Sequence, residues 1–162
     1  MLRRLNRDDL ARFHAYRSDP VVGRFQGWSP MSNSDALAFI DRMAVAELFK
    51  PGAWMQLAIA RSDDGALVGD LGLFVAENGE HAELGVTVSP EAQGRGHGST
   101  AFREAIRMLF EQTAVARVVG VADARNLASI RLLERVGMSR VETRETIVKE
   151  ERCTEWVYAR NR

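Results

Sequence analysis

The chain has 162 residues, of which 46% are hydrophobic and 27% are charged. These values are close to globular averages, which excludes a disordered or fibrous protein and suits a single domain over residues 1–162. The 22 basic and 22 acidic side chains balance, which argues against a nucleic-acid partner, since such partners usually select a basic excess.

The single cysteine, Cys153, excludes an intrachain disulfide and hence a disulfide-stapled scaffold. Residues 1–9 lack the apolar run of a signal peptide, and no segment approaches the roughly 20 apolar residues that a membrane span requires. No grouping of His, Cys and Asp has the spacing of a metal site. We therefore expect a reduced, soluble, cytoplasmic protein without a metal or a membrane partner.

The first third of the chain is predicted to contain a short strand and two helices. The first helix covers 8–18, and the second begins after Ser34 and ends at Pro51. The loop between the two helices carries an unusual pair of aromatic residues, Phe25 and Trp28.

From Trp54 onward the hydrophobic period changes from that of a helix to that of a strand. The predicted elements are, in order, strands at 54–60, 67–75 and 82–88, a helix ending near 113, a strand at 116–121, a helix at 128–136, and strands at 140–148 and 153–159. This order is not a regular βαβ repeat. It predicts an α/β protein with a mixed sheet and helices on both faces.

The most informative segment is 93–98, where three glycines alternate with other residues between a strand and a helix. Residues without a Cβ let consecutive backbone N–H groups turn toward one point, and the helix start adds unpaired N–H groups and a positive dipole end. The segment therefore predicts a cradle for phosphate or pyrophosphate. It lacks the lysine of a P-loop and the spacing of a dinucleotide fingerprint, which disfavours a nucleotide-dependent enzyme. A glycine-rich turn without a ligand is the alternative interpretation.

The string Gln-Gly-Arg-Gly-His-Gly at 93–98 resembles the Q/R-G-x-G-x-G/A signature of GNAT acetyltransferases, which cradles the pyrophosphate of coenzyme A. In that family a Val-x-Val strand pairs with the pantetheine arm, and 86–88 occupies that place here. The resemblance implies a central, mostly antiparallel seven-stranded sheet flanked by about four helices, and acetyl-CoA as cofactor. The cofactor-binding residues it implies in this region are Val86, Thr87, Val88, Gln93, Gly94, Arg95, Gly96, His97, Gly98, Ser99 and Thr100.

A second motif begins at Asn126, which stands where a strand ends and a helix begins. The segment 126–138 resembles the signature N-x-x-S/A-x-x-x-x-E-x-x-G-F/M and is most similar to the RimJ/RimL-like branch, which modifies ribosomal-protein N-termini. In that branch the Asn contacts the pantetheine arm, and the Ser lies near the thioester sulfur and protonates the departing thiolate. The resemblance therefore assigns these roles to Asn126 and Ser129. Helix capping alone is the alternative for Asn126.

One position departs from the family pattern. Many members have a tyrosine acid immediately before the glutamate equivalent to Glu134, where this chain has Leu133. The departure removes the commonest candidate acid and shifts its role to Ser129 or to solvent.

Acetyl transfer to an amine requires a base, because an ammonium with a pKa of about 10 has no lone pair with which to attack. Glu83 lies three residues before Val86, where GNAT enzymes commonly place an acid that acts directly or through water. A solvent-facing or cross-strand charge is the alternative for Glu83. By resemblance, the backbone N–H of Val86 or Val88 stabilises charge on the thioester oxygen.

The rivals for the role of base are two acids on the next-to-last strand, Glu142 and Glu145, and one imidazole beside a turn, His81. Cys153 is expected to be a packed strand thiol rather than an acyl-enzyme nucleophile, because no histidine is paired with it.

The sequence says less about the identity of the acceptor than about that of the cofactor. The loop around 24–28 and the second helix occupy the part that lines the acceptor site in relatives, so Phe25 and Trp28 either wall that site, with Glu83, or cover the edge of the sheet. Protein N-termini, polyamines, amino acids and aminoglycosides all remain open.

The resemblance predicts an acetyl-CoA-dependent N-acetyltransferase that acts on a primary amine by direct attack on the thioester. Two alternatives keep the fold: a non-catalytic acyl-CoA-binding or regulatory module, and an acyltransferase that uses a longer donor such as succinyl-CoA. A homodimer, common in this branch, is compatible with the apolar surface of the terminal strands.

Overall fold

The computed structural model describes all of residues 1–162, and its seven strands form one sheet. The strands are β1 (Leu2–Arg4), β2 (Trp54–Ala60), β3 (Leu67–Val75), β4 (His81–Val88), β5 (Arg117–Asp123), β6 (Ser139–Val148) and β7 (Glu151–Asn161). Their spatial order is β1-β2-β3-β4-β5-β7-β6. Every neighbouring pair is antiparallel except β4 and β5. The predicted mixed, mostly antiparallel, seven-stranded sheet is confirmed.

Five α-helices connect the strands. They are α1 (Leu10–Arg17), α2 (Pro20–Gly23), α3 (Asn33–Val45), α4 (His97–Gln112) and α5 (Leu127–Arg135). None of them combines the length and the apolar content that crossing a membrane would need.

Two local predictions in the first third of the chain were wrong. The segment predicted as a loop contains α2, which begins at Pro20 and is capped by Asp19, whose carboxylate accepts a hydrogen bond from the Val21 N–H. The second helix ends at Val45 rather than near Pro51. The apolar residues that suggested a longer helix pack on the core from an irregular segment, in which Phe49 has a φ of 62°.

Different helices cover the two faces of the sheet. Helices α4 and α5 cover one face, over a core of 23 buried residues that includes Leu71, Phe102 and Leu133. Helices α1 and α3 cover part of the other face, over a cluster of seven buried residues that includes Phe13 and Ile40. Side chains alternate between the two faces along each strand, which separates the residues of the 23-residue core from those of the seven-residue cluster. The rest of the second face is left without a helix.

The sheet opens between β4 and β5. These strands pair only over His81–Glu83, whereas β4 stays paired with β3 as far as Val88. The carbonyls of Val86 and Val88 instead accept hydrogen bonds from the side-chain amides of Gln26 (3.5 Å) and Gln93 (3.0 Å). Because main-chain groups of alternate residues point to the same side of a strand, both valines direct their N–H groups toward this opening.

Candidate active site

A cavity of about 490 Å³ lies beside the second half of β4, and we call it the glycine-loop cavity. The start of α4, the start of α5 and helix α2 also line it. Most of the residues implied as cofactor ligands line this cavity: Val86, Thr87, Val88, Gln93, Gly94, Gly96, His97, Gly98, Ser99, Asn126 and Ser129. Arg95 and Thr100 are exposed and lie outside its lining.

The main chain from Gly94 to Ser99 offers hydrogen-bond donors to this cavity. None of its N–H groups has a partner within the protein, and the first hydrogen bond of α4 runs from the Thr100 N–H to the Gly96 carbonyl at 3.0 Å. Gly94 and Gly96 have φ values of 75° and 84°, in the left-handed region that glycine adopts without strain. A row of free N–H groups at a helix start favours an anion, so the segment fits the diphosphate of coenzyme A.

Gln93 contributes to this segment in a different way. Its N–H binds the Pro90 carbonyl at 3.3 Å, and its side-chain amide binds the Val88 carbonyl. The main-chain N–H and one N–H of the side-chain amide are therefore engaged within the protein, where they hold the loop against the end of β4.

Asn126 caps α5 and also lines the glycine-loop cavity. Its side-chain oxygen accepts a hydrogen bond from the Ser129 N–H at 3.2 Å, which caps α5. Its amide nitrogen has no partner in the protein, and both Asn126 and Ser129 line the glycine-loop cavity. The cap therefore leaves a donor available to a ligand.

Several residues of this cavity were not predicted from the sequence. Val21 and Val22 of α2 line its outer side. Arg131 and Arg135 of α5 also line it. Their four-residue spacing places both arginines on one face of a helix that starts at Asn126, a predicted ligand. This spacing was the signal in the sequence that could have identified them.

A second cavity, of about 590 Å³, lies on the opposite face of the sheet, and we call it the sheet-face cavity. Strands β2 to β5 and β7 form its floor, and the segment 24–28 covers it together with part of β6. Phe25 and Trp28 both line it. Phe25, Gln26 and Thr87 line both cavities, so the two meet at the second half of β4.

Glu83 lines the sheet-face cavity and is half-buried. Its carboxylate forms no hydrogen bond and no ion pair, and burial raises its pKa above the usual glutamate value, an effect that Arg144 partly offsets. A carboxylate with a raised pKa is a stronger proton acceptor. The rivals Glu142, Glu145 and His81 are exposed and line neither cavity.

The other carboxylates of the sheet-face cavity are paired with arginines. Arg125 binds both Asp123 (2.8 Å) and Glu151 (2.6 Å), which lowers the pKa of each acid. Arg144 binds Glu155 at 2.9 Å. Glu83 is therefore the one lining carboxylate without an arginine.

Cys153 also lines the sheet-face cavity. It is only 7% exposed, and burial raises the pKa of its thiol. A thiol with a raised pKa is a poor nucleophile at neutral pH.

A buried charged network forms one end of the sheet-face cavity. Arg17 donates two hydrogen bonds to Asp70, at 2.6 and 3.1 Å, and Tyr16 and Gln56 donate to the same carboxylate at 2.7 and 2.6 Å. The guanidinium carbon of Arg17 lies 4.6 Å from the ring centre of Trp28. This network was not predictable from the sequence, because its partners are up to 54 positions apart.

Comparison with known proteins agrees with this architecture. Residues 1–139 match the family described as acetyltransferase (GNAT) domain. The chain is 23% identical over 141 residues to the uncharacterized N-acetyltransferase YnaD of Bacillus subtilis (strain 168), covering 86% of this chain and 79% of YnaD.

Two solved structures share the fold. A GNAT-family acetyltransferase from Bacillus anthracis has a TM-score of 0.87 at 20% identity, covering 99% of this chain and 93% of the other. A spermidine N-acetyltransferase from Vibrio cholerae, in complex with CoA and spermine, has a TM-score of 0.81 at 18% identity, covering 99% and 94%. The match to the GNAT domain spans well over half of the chain. The protein therefore belongs to the GNAT acetyltransferase family and is an acyltransferase that uses acetyl-CoA.

Proposed function

We propose that the protein acetylates a primary amine, of a protein N-terminus or a small molecule, as a member of the RimJ/RimL-like branch. The observation that supports this proposal is that the two cavities meet at β4, where Phe25, Gln26 and Thr87 line both. One cavity offers free main-chain N–H groups to a diphosphate. The other offers a single unpaired carboxylate, Glu83, to an amine. The motif from Asn126 to Met138 supports the branch.

Bound acetyl-CoA supplies an acetyl group activated as a thioester. Val86 and Val88 direct their N–H groups into the opening of the sheet, where they donate to the thioester oxygen as it gains negative charge. Glu83 removes a proton from the ammonium, directly or through water. As the N–C bond forms, the C–S bond breaks. Of the two protons that the nitrogen loses, one leaves through Glu83 to solvent and one ends on the sulfur.

Ser129 is the hydroxyl that we assign to protonation of the sulfur, because it lines the glycine-loop cavity at the start of α5. Leu133 replaces the tyrosine of many relatives and is buried in the core at 2% exposure. Its position therefore supplies no proton. This substitution is the one observation that favours the alternative of a binding module without catalysis.

Release of free thiol from acetyl-CoA, measured with a panel of primary amines, tests the proposal. We expect turnover that saturates with one class of amine, and heat on titration with acetyl-CoA alone. Binding of acetyl-CoA without turnover of any amine would establish the binding module instead. A higher kcat/KM with succinyl-CoA than with acetyl-CoA would establish the longer donor.

A further inference from the structure

We infer that the acceptor is a monoamine with a flat, uncharged body, of the arylalkylamine class, and that this body lies on a glycine floor between Glu83 and Arg17. The inference rests on the proposed function, since it names the substrate class of the same site. Four features of the sheet-face cavity support it: its floor, its walls, its far end and its unpaired charges.

The floor is free of side chains at its centre. Gly72 of β3 and Gly85 of β4 are register partners, and both line the cavity. A Cβ built on Gly85 would meet no atom within 4 Å. A Cβ on Gly72 would lie 3.2 Å from the Gln56 amide and 3.3 Å from the Trp54 ring. The glycine pair therefore leaves a shallow slot whose edge is formed by an aromatic ring.

The walls around this slot are aromatic. Trp28, Phe39 and Trp54 line the same cavity. Trp54 is 49% exposed although it belongs to a strand beside the core. Exposed aromatic side chains around a concave surface favour flat, apolar ligands, because rings pack against them over a large area.

The end of the cavity at Arg17 offers one hydrogen-bond donor, and the charge of that arginine is neutralised. Arg17 donates to Asp70 through Nε and Nη2, and its Nη1 has no partner. Arg17 lines the cavity although its side chain is only 3% exposed. The Ser89 Oγ is the only fully buried side-chain polar atom without a partner, so part of the Arg17 Nη1 reaches the surface of this end of the cavity. Asp70 neutralises the guanidinium, so this end suits an uncharged oxygen.

The distance between the two ends limits the size of the acceptor. Asp70, which holds Arg17, is the register partner of Thr87. Glu83 lies four residues from Thr87 on β4, a spacing of about 13 Å along a strand. An amine beside Glu83 whose ring lies over Gly85 can therefore direct a ring oxygen toward Arg17.

The unpaired charges allow one ammonium and disfavour a polyamine. Glu83 is the only lining carboxylate without an arginine partner. Arg24 and Lys149 line the cavity without forming an ion pair. A second ammonium of a polyamine would therefore meet cations rather than a free carboxylate. This differs from the substrate named for the structurally similar Vibrio cholerae enzyme.

Direct binding tests the inference independently of catalysis. The chain has three tryptophans, and Trp28 and Trp54 line the cavity whereas Trp156 does not. In a Trp156→Phe background with coenzyme A bound, we expect tyramine to change the tryptophan fluorescence with saturation. Phenethylamine, which lacks the ring oxygen, should bind about three- to tenfold more weakly, and spermidine should leave the fluorescence unchanged.

The outcomes separate the two proposals. If tyramine binds but is not acetylated, the acceptor class stands and the proposed transfer fails. If spermidine or a short peptide with a free N-terminus is acetylated with a higher kcat/KM than tyramine, or if tyramine does not bind, the acceptor class is wrong.

Gly85→Val is the most direct test, because it places a side chain on the glycine floor. The variant should fold, since the new side chain has room and a β-branched residue suits a strand. It should raise the Kd for tyramine at least tenfold and leave the affinity for acetyl-CoA unchanged, since Gly85 does not line the glycine-loop cavity. Thr143→Val, at an exposed position of β6 outside both cavities, is the matched control. Unchanged tyramine binding in folded Gly85→Val would overturn the inference.

Discussion

The two cavities that meet at β4 use different parts of the polypeptide. The glycine-loop cavity presents main-chain N–H groups from one contiguous segment, 94–99. The sheet-face cavity presents side chains from strands β2 and β4 to β7 and from the segment that covers them. Main-chain donors are the same whatever the side chains are, so they suit a diphosphate that every acyl-CoA carries. Side chains can change one at a time, so under the proposed function the acceptor can change while the donor stays the same.

This contrast has a kinetic consequence. A substitution in the sheet-face cavity should alter the kinetics of the amine, and a substitution in the glycine loop should alter the affinity for acetyl-CoA.

Glu83→Gln should have the largest effect. Loss of the proposed general base should lower kcat/KM for the amine by about 10²–10⁴-fold, while the affinity for acetyl-CoA stays the same. Steady-state kinetics and calorimetric titration check the two quantities. Glu142→Gln, an exposed position outside both cavities, is the control. A large loss of acetyl-CoA affinity in Glu83→Gln would show that the cavities are not separable.

Asp70→Asn should mainly lower stability. Asp70 and Arg17 are 0% and 3% exposed in their side chains, and breaking a buried pair costs about 3–5 kcal/mol. The corresponding drop in Tm is about 6–20 °C for a domain of this size. Calorimetric unfolding measures the drop. Asp41→Asn breaks the exposed pair with Arg7 and should change stability by less than about 1 kcal/mol. Equal losses of stability in Asp70→Asn and Asp41→Asn would contradict the assignment of Arg17 and Asp70 as a buried, stabilising pair.

Gly96→Ala should weaken acetyl-CoA binding by about tenfold, because a left-handed alanine costs about 1–2 kcal/mol and disturbs the N–H cradle. Gly65→Ala is the control, because it introduces the same backbone strain away from the cavity. Gly65 has a φ of 71° in the turn between β2 and β3 and open space around it. Both variants should lose similar stability. Only Gly96→Ala should lose acetyl-CoA affinity, and an equal loss in Gly65→Ala would count against the cradle.

Ser129→Ala should have a smaller effect on turnover. An alkyl thiol with a pKa of about 8.5 leaves as the thiolate with little help, so kcat should fall by less than about tenfold. The hydroxyl does not cap the helix, because Asn126 does. Stability should therefore be nearly unchanged. A loss of 10³-fold would be inconsistent with this minor role and with typical thiolate departure.

The smallest expected effect concerns pH. Burial raises the pKa of Glu83, so the folded state binds this proton more tightly than the unfolded chain. The stability linked to it is present below the unfolded pKa and is lost as pH rises through the folded pKa. Glu83→Gln should therefore unfold at the same or a higher temperature than the wild type at pH 8. A lower Tm there would mean that the carboxylate has a stabilising partner.

The same raised pKa predicts the pH dependence of activity. With the wild type, kcat/KM should rise with pH through a value above the usual glutamate range, as Glu83 becomes able to accept a proton. This rise should disappear in Glu83→Gln. Its persistence would assign the titration to another group.

Much of the fold was predictable because its signals are local. The alternation of apolar residues placed β2 and β3 at their observed bounds, and the turn sequences between them agree with the structure. The errors have local causes too. Helix α2 has only four residues, too few for a hydrophobic period, although Asp19 and Pro20 form a helix-start signal. The end of α3 was placed too late because irregular residues after Val45 also pack on the core.

By itself, the sequence determined the donor side of this protein. The glycines of segment 93–98 and the cap at Asn126 act through neighbouring main-chain groups, so their spacing alone predicts the cradle and, through the family resemblance, acetyl-CoA. The tertiary structure decided how the proposed acceptor side is built, of which the sequence had indicated only Phe25, Trp28 and Glu83. The facing of Gly72 and Gly85 follows from strand register, and the pairing of Arg17 with Asp70 joins a helix to a strand 53 positions away. Such contacts depend on how the whole sheet assembles, which no local pattern encodes.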